Sequence, residues 1–250
     1  MNTVRALRPN SRVLILEDHV LFAESLELAL TLEGYAARRL PLPASPGSTG
    51  QLLATALRMR PRVVLLDLGL GAFGDGARLI RPLALSGANV VVLTACTDKY
   101  RWGECMRYGA RKTMSKTQPL NEILGVIRRI HEGLPVVTAA EREELLRGWH
   151  EHRQEVQEQR RRLERLTPRE REVLASLMEG LTVRDIAHSS VVSVATVRTQ
   201  VKAILAKLEV SSQLAAVGLA HHADWHLVDP DPAVSTLPGA PAPHQLSGTG

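Results

Sequence analysis

Polar side chains stand wherever the apolar runs of the first half stop. Glu17 and Asp18 follow RVLIL, Asp67 closes VVLL, Thr94 closes VVVL, and Ser115-Lys116 follow the short segment 111–114. Carboxylates gathered at one edge repel each other unless a cation sits among them. An oxygen-rich site with open positions suits Mg2+, which keeps waters and favours phosphate oxygens. A lysine and a threonine hydroxyl supply the donors for an anionic phosphoryl group. Nucleophile, metal, ammonium and hydroxyl then make up a set for phosphoryl transfer. In this reading Asp67 attacks phosphorus and becomes an acyl phosphate. Asp18, Asp67 and the Gly69 carbonyl bind Mg2+, with Glu17 partly through water. Lys116 pairs with the phosphoryl oxygens, Thr94 donates a hydrogen bond, and the small Ala95 leaves the site open.

Such chemistry needs these residues on one edge of a sheet. Strands are expected at 12–16, 35–40, 62–68, 89–95 and 111–114, alternating with helices at 20–33, 51–60, 75–86, 98–108 and 119–132. RVVLLDL and NVVVLTA lack polar alternation, as strands of a parallel sheet covered on both faces do. Five βα units predict an open, doubly wound α/β domain, whose function gathers at the carboxyl ends of its strands. The Pro/Gly/Ser stretch 41–50 reads as a loop.

A competing pattern overlaps Asp67. Gly69-Leu-Gly71-Ala-Phe-Gly74 fits the G-x-G-x-x-G of dinucleotide enzymes. That fingerprint follows the first strand of its unit and wants an acid about 20 residues on, for the ribose. Here the next strand ends in Thr94, and Asp67 would repel a pyrophosphate. A phosphatase with Asp67 as nucleophile would want a second acid two residues later, where Gly69 stands.

The second half changes character. Residues 139–166 are charged and free of proline, and steps of four and three pick out Leu145, Trp149, His152, Val156, Gln159, Leu163 and Leu166. That stripe predicts a dimerising helix with two polar breaks. Residues 167–226 are helical throughout, in four pieces. TPRE places Thr167 at an N-cap with Glu170 closing a capping box, and Thr182, Ser193 and Ser211 or Ser212 offer the next starts. A short helix, the turn VVS and a longer helix fit helix-turn-helix. In that longer helix Val194, Val197, Val201, Ile204, Leu205 and Leu208 share one side. Ala195, Thr199, Lys202, Ala203 and Ala206 lie opposite, flanked by Arg198, Thr196 and Gln200. Small residues beside long donors let a helix sink into a groove and reach base edges. The Pro/Gly/Ser/Ala-rich segment 227–250 is expected to be disordered.

Bulk charge argues less than it promises. The 250-residue chain carries a net +5. Residues 1–137 hold 18 Lys/Arg against 11 Asp/Glu, whereas 167–228 hold six of each. A nucleic-acid reading of the C-terminal half therefore rests on placement, since Val194–Leu208 contains Arg198, Lys202 and Lys207 and no acid. The two cysteines, Cys96 and Cys105, form no metal or disulfide pattern. No apolar run approaches membrane-span length, so a cytoplasmic protein without a membrane partner is expected.

LILEDHVLFAESL, VVLLDLGL, VVLTA and GARKTMSK together make residues 12–132 resemble the receiver domain of bacterial response regulators. Residues 166–220, from LTPREREVL to AAVGLA, resemble the LuxR-type DNA-binding domain. The combination is similar to response regulators of the NarL/FixJ type, which are transcription factors rather than enzymes. The implied layout is an N-terminal extension (1–11), a receiver (12–133), a helical linker (134–166), a DNA-binding domain (167–226) and a tail (227–250). The resemblance implies phosphate accepted from a sensor histidine kinase with Mg2+. It implies base-edge contacts from Arg198, Thr199 and Lys202, and phosphate contacts from Arg184, Thr196, Gln200 and Lys207. It also implies a homodimer, through Leu214, Val217 or Gly218, on double-stranded DNA with roughly palindromic half-sites. Two positions depart from the family. Thr113 replaces its usual aromatic switch residue, next to Lys112 where glycine is common, and Gly71 replaces its usual proline. They leave open an alternative, a DNA-binding regulator whose receiver acts independently of phosphorylation.

Overall fold

The computed structural model describes residues 11–42 and 48–226. The expected extension (apart from Ser11), half of the expected loop 41–50 and the tail 227–250 lie outside those residues. The chain divides into two compact units with the boundary between His152 and Arg153.

The first unit is a five-stranded parallel sheet in the order β2-β1-β3-β4-β5. The strands are β1 (Arg12–Leu16), β2 (Ala36–Arg39), β3 (Val63–Asp67), β4 (Asn89–Thr94) and β5 (Lys112–Ser115). Val and Leu, with Ile15, fill the central strands, where branched apolar side chains pack well on a pleated surface. Their alternation feeds two cores. Val13 and Ile15 face one, with Leu26, Leu30 and Ile127; Leu14 and Leu16 face the other, with Leu79, Ile80 and Leu83. The covering helices are α1 (Val20–Leu32), α2 (Thr49–Arg58), α3 (Ala77–Leu85), α4 (Lys99–Tyr108) and α5 (Leu120–His131). The chain enters α2 two residues earlier than expected, because the Ser48 hydroxyl accepts from the Gly50 amide and caps it.

Helix α6 (Ala139–Glu164) crosses the boundary between the units. Residues of the stripe read as a dimerising seam have partners within the chain. Leu145 packs on the core beneath α4, Trp149 is buried, and His152 stacks on Tyr100. In the second unit Gln159 bonds His222, while Leu163 and Leu166 join the core. Heptad spacing suits any neighbouring helix, including the chain's own.

The second unit adds α7 (Pro168–Met178), α8 (Val183–Ser189), α9 (Val194–Leu208) and α10 (Gln213–His222). Capping boxes at Thr167/Glu170 and Thr182/Asp185 start α7 and α8, and Ser193 and Ser212 cap the next two. Val173, Leu174, Ile186, Val197, Val201, Ile204, Leu208 and Ala216 close one core. Among the described residues no single helix is long and apolar enough to cross a membrane.

Two features of this unit have measurable consequences. Glu170 accepts from the Thr167 amide and, at 2.6 Å, from the Lys207 ammonium. Burial pushes its carboxyl up, but these donors outweigh burial and hold it below its usual value. A carboxyl favoured in its ionised form contributes fully above the unfolded-state pKa, and that contribution fades as pH falls through the lower folded value. Urea titrations of the second unit should therefore show stability declining in the carboxylate range, and Glu170→Gln should flatten that decline. An unchanged slope would exclude the pair as its source. Between α8 and α9, Val191 is 91% exposed with φ at 53°. A β-branched residue is strained in the left-handed region. Val191→Gly should stabilise the unit by about 1 kcal/mol, part of the relief being offset by glycine's freer unfolded chain. A lower urea midpoint would contradict this.

Candidate functional site

At the carboxyl edge of the sheet, Glu17 and Asp67 lie buried across the β1–β3 pairing. Lys116 reaches them because its amide donates to the Thr94 carbonyl, which extends the β4–β5 pairing by one residue. Its ammonium donates to Asp67 Oδ2 at 2.6 Å and to Glu17 Oε1 at 2.7 Å. Burial alone would lower the lysine's pKa, yet these two carboxylates hold it above the usual value. Glu17 shows the reverse balance. Burial raises its carboxyl by more than Lys116 and the His19 amide lower it.

Asp18 and His19 complete the cluster. Ligand atoms of Glu17, Asp18, His19 and Asp67 all lie within 4.8 Å of one another. Asp18 Oδ1 is shielded from solvent and receives no properly directed hydrogen bond, although His19 Nδ1 lies 2.8 Å away. An acceptor of that kind is costly unless something fills its place. Thr94 is buried, and its hydroxyl accepts from the Cys96 amide at 3.0 Å.

The loop after β3 folds back on itself. Gly69 pairs antiparallel with Asp75, and the Gly76 amide donates to the Leu68 carbonyl at 2.8 Å. A Cβ on Gly76 would stand 2.1 Å from the Asp67 carbonyl oxygen. Gly71, at φ 54°, places its absent Cβ 3.4 Å from Asp18 Oδ2. Gly76 lets the loop lie against the β3 backbone, and Gly71 lets it approach the Asp18 carboxylate.

In the second unit, α9 buries Val197, Val201, Ile204 and Leu208 and leaves Ala195, Thr196, Arg198, Thr199, Lys202 and Ala206 exposed. Arg184 on α8 is exposed as well. Small residues beside long cationic ones thus form one outward face, carried by a short helix, a turn and a longer helix.

The two units match two families. Residues 13–128 match the response regulator receiver domain, and residues 164–220 match bacterial regulatory proteins of the luxR family. The transcriptional regulatory protein LiaR of Bacillus subtilis is 31% identical over 220 residues, 87% of this chain and 99% of that protein. The nitrate/nitrite response regulator protein homolog of Haemophilus influenzae is 27% identical over 210 residues, 83% of this chain and 95% of that protein. Among solved structures the chain is similar to the RcsB response regulator of Salmonella typhimurium, with 19% identity and a TM-score of 0.46, over 84% of this chain and 98% of that one. The chain is a two-component response regulator.

The regulator's receiver gathers Glu17, Asp18, Asp67, Thr94 and Lys116 at one edge, with Gly69 in the adjoining loop. Sequence reasoning passed over His19, although an imidazole directly after two acids at a strand end was a readable signal. It also passed over Gly76, which lies outside the G-x-G-x-x-G pattern. In the LuxR-type domain two residues read as phosphate contacts have distinct surroundings. Lys207 pairs with Glu170 at 2.6 Å, with about a third of its side chain exposed. Gln200 is half-buried, with Oε1 shielded and without a hydrogen bond. Thr113, at the position of the family's aromatic switch residue, is buried in β5 with its hydroxyl oxygen likewise unbonded. The regulator carries no ring there to rotate.

Proposed function

We propose that a sensor histidine kinase phosphorylates Asp67, and that this acyl phosphate sets the regulator's affinity for its promoters. The observation carrying this reading is the buried Asp67–Lys116–Glu17 group beside the unbonded Asp18 oxygen. In the transfer an Asp67 carboxylate oxygen bonds to phosphorus while the phosphorus–nitrogen bond of the donor phosphohistidine breaks. The electron pair leaves on the imidazole, which takes up a proton from solvent. Lys116 shifts its ammonium from Asp67 to the incoming phosphoryl oxygens, and Glu17 stays within its reach. Thr94 turns its hydroxyl from the Cys96 amide toward the same oxygens.

The donor set is mostly hard oxygen, with one solvent-shielded acceptor that receives no directed hydrogen bond, and it fits Mg2+. Asp18, Asp67 and the Gly69 carbonyl would hold the ion, with Glu17 through water. When bound it supplies positive charge against the crowded carboxylates and the phosphoryl oxygens.

The LuxR-type domain reads double-stranded DNA as a homodimer on roughly palindromic half-sites, in the cytoplasm. Leu214 on α10, 82% exposed, offers the pairing face together with Val217 and Gly218. Arg198, Thr199 and Lys202 meet base edges, while Arg184 and Thr196 meet phosphates. Arg198→Ala should cost ~1–3 kcal/mol on the preferred site and little elsewhere; Arg184→Ala should weaken all sequences alike and lower the salt slope by about one. Equal losses from both, on every sequence, would contradict these roles. The decisive experiment incubates the full chain with acetyl phosphate and Mg2+, then reads intact mass and DNA affinity. One phosphoryl adduct with changed affinity supports the switch. Unchanged affinity would favour the phosphorylation-independent reading that Thr113 suggests.

A further inference from the structure

Helix α4 is held on two sides. On one, Arg101 is ion-paired with Asp75 and with Glu104. Asp75 belongs to the loop after Asp67: it pairs with Gly69, and its side chain accepts from the Ala77 amide at 2.9 Å. On the other side α4 carries the first half of α6, residues 139–152. Gly103 is the seat of that contact. A Cβ there would stand 2.1 Å from the Leu145 carbonyl oxygen and 2.9 Å from Trp149 Cβ. Around it Tyr100 stacks on His152 with ring centroids 3.9 Å apart, and the Arg107 guanidinium lies 6.0 Å from the Trp149 ring centroid. Lys99 pairs with Glu144, and Lys112 of β5 with Glu141 at 2.7 Å.

Helices meet this closely only where one of them lacks a side chain, and polar contacts on both flanks keep the register. The exposed pairs add little energy each, so the seat itself carries the specificity. The Asp75–Arg101 pair is the one charged tie among the described residues between the loop beyond Asp67 and the helix under that seat. With Thr113 in place of an aromatic, it offers a route for movement at Asp67 to reach α4.

We propose that residues 139–152 form a strap seated on Gly103 of α4, and that phosphorylation loosens it through the Asp75–Arg101 pair. This rests on Asp67 being the phosphoacceptor. Release changes the mobility of α6 where it leaves the receiver, and needs no ring rotation in β5.

Hydrogen–deuterium exchange on the full chain tests both parts. Without phosphodonor, Gly103→Ala should speed exchange in 139–152 at least tenfold while β1 and β3 stay protected. Trp149→Ala, which removes a contact without introducing a clash, should do the same in case the first variant folds poorly. Unchanged exchange in both would overturn the strap. With acetyl phosphate and Mg2+, the wild type should show faster exchange in 139–152, in samples whose intact mass proves the adduct. Arg101→Gln should form the same adduct without that change. An adduct with unchanged exchange in the wild type would overturn the coupling and leave the phosphoacceptor reading standing, as would an Arg101→Gln response equal to wild type. No adduct at all would overturn the phosphoacceptor reading, and the coupling with it, while the two unphosphorylated variants still decide the strap.

Discussion

Asp67→Asn should abolish the phosphoryl adduct entirely while leaving the receiver folded. The amide keeps the carboxylate's shape but is no nucleophile toward phosphorus, and among the described carboxylates Glu17 alone shares its burial and its contact with Lys116. Glu17 comes nearest, at 2.7 Å from the same ammonium. Burial holds its carboxyl above the usual value. Stranding a buried charge costs ~3–5 kcal/mol. Here the cost should be well below that, because Lys116 retains Glu17, and removing Asp67 relieves repulsion between the two acids. The check is intact mass after acetyl phosphate with Mg2+, paired with a thermal melt. An adduct persisting in the variant would move the phosphoacceptor elsewhere; a collapsed melt would show that Asp67 is structural first.

Gly76→Ala should be severely damaging to the receiver. Its Cβ would meet the Asp67 carbonyl oxygen at 2.1 Å, its carbon at 3.2 Å and Leu68 Cα at 3.3 Å. All are backbone atoms of β3 and the residue that follows, and none can swing aside as a side chain end would. Relief requires the loop to lift, which breaks the Gly76–Leu68 hydrogen bond and the Gly69–Asp75 bridge. A loss of about 3 kcal/mol or more is expected, in the range of severe backbone effects, with phosphorylation slowed at least tenfold in whatever remains folded. Gly74→Ala makes the contrast. Nothing lies within 4 Å of its added Cβ, so only the strain of φ 75° is felt. Urea unfolding and adduct formation measured on both variants decide the matter, and equal effects would refute the close-approach argument.

The receiver's carboxyl edge was legible because each strand is a short unbroken apolar run whose first polar residue is the functional one. Asp67 after VVLL and Thr94 after VVVL needed no tertiary information. Gly76 was not legible, since a close backbone approach leaves no local trace in sequence. The glycines forming the familiar pattern drew attention away from it. Lys207 shows the same limit from the other direction. On a helical wheel it is a cation beside the groove-facing side, and only the fold brings Glu170, 37 residues earlier, to its ammonium. The α6 stripe had helical periodicity, but spacing specifies a helical partner without saying whose helix it is.

The two cysteines differ as sharply as two thiols can. Burial pushes the Cys105 thiol up to about 12, so it stays protonated and unreactive. Cys96 is exposed, two residues beyond Thr94, with its amide on the threonine hydroxyl and its carbonyl accepting from the Trp102 indole at 2.8 Å. A maleimide fluorophore added to the unaltered regulator would therefore settle at one place, beside an indole able to quench it. The native chain carries its own optical reporter of the hydroxyl that must turn when phosphate arrives.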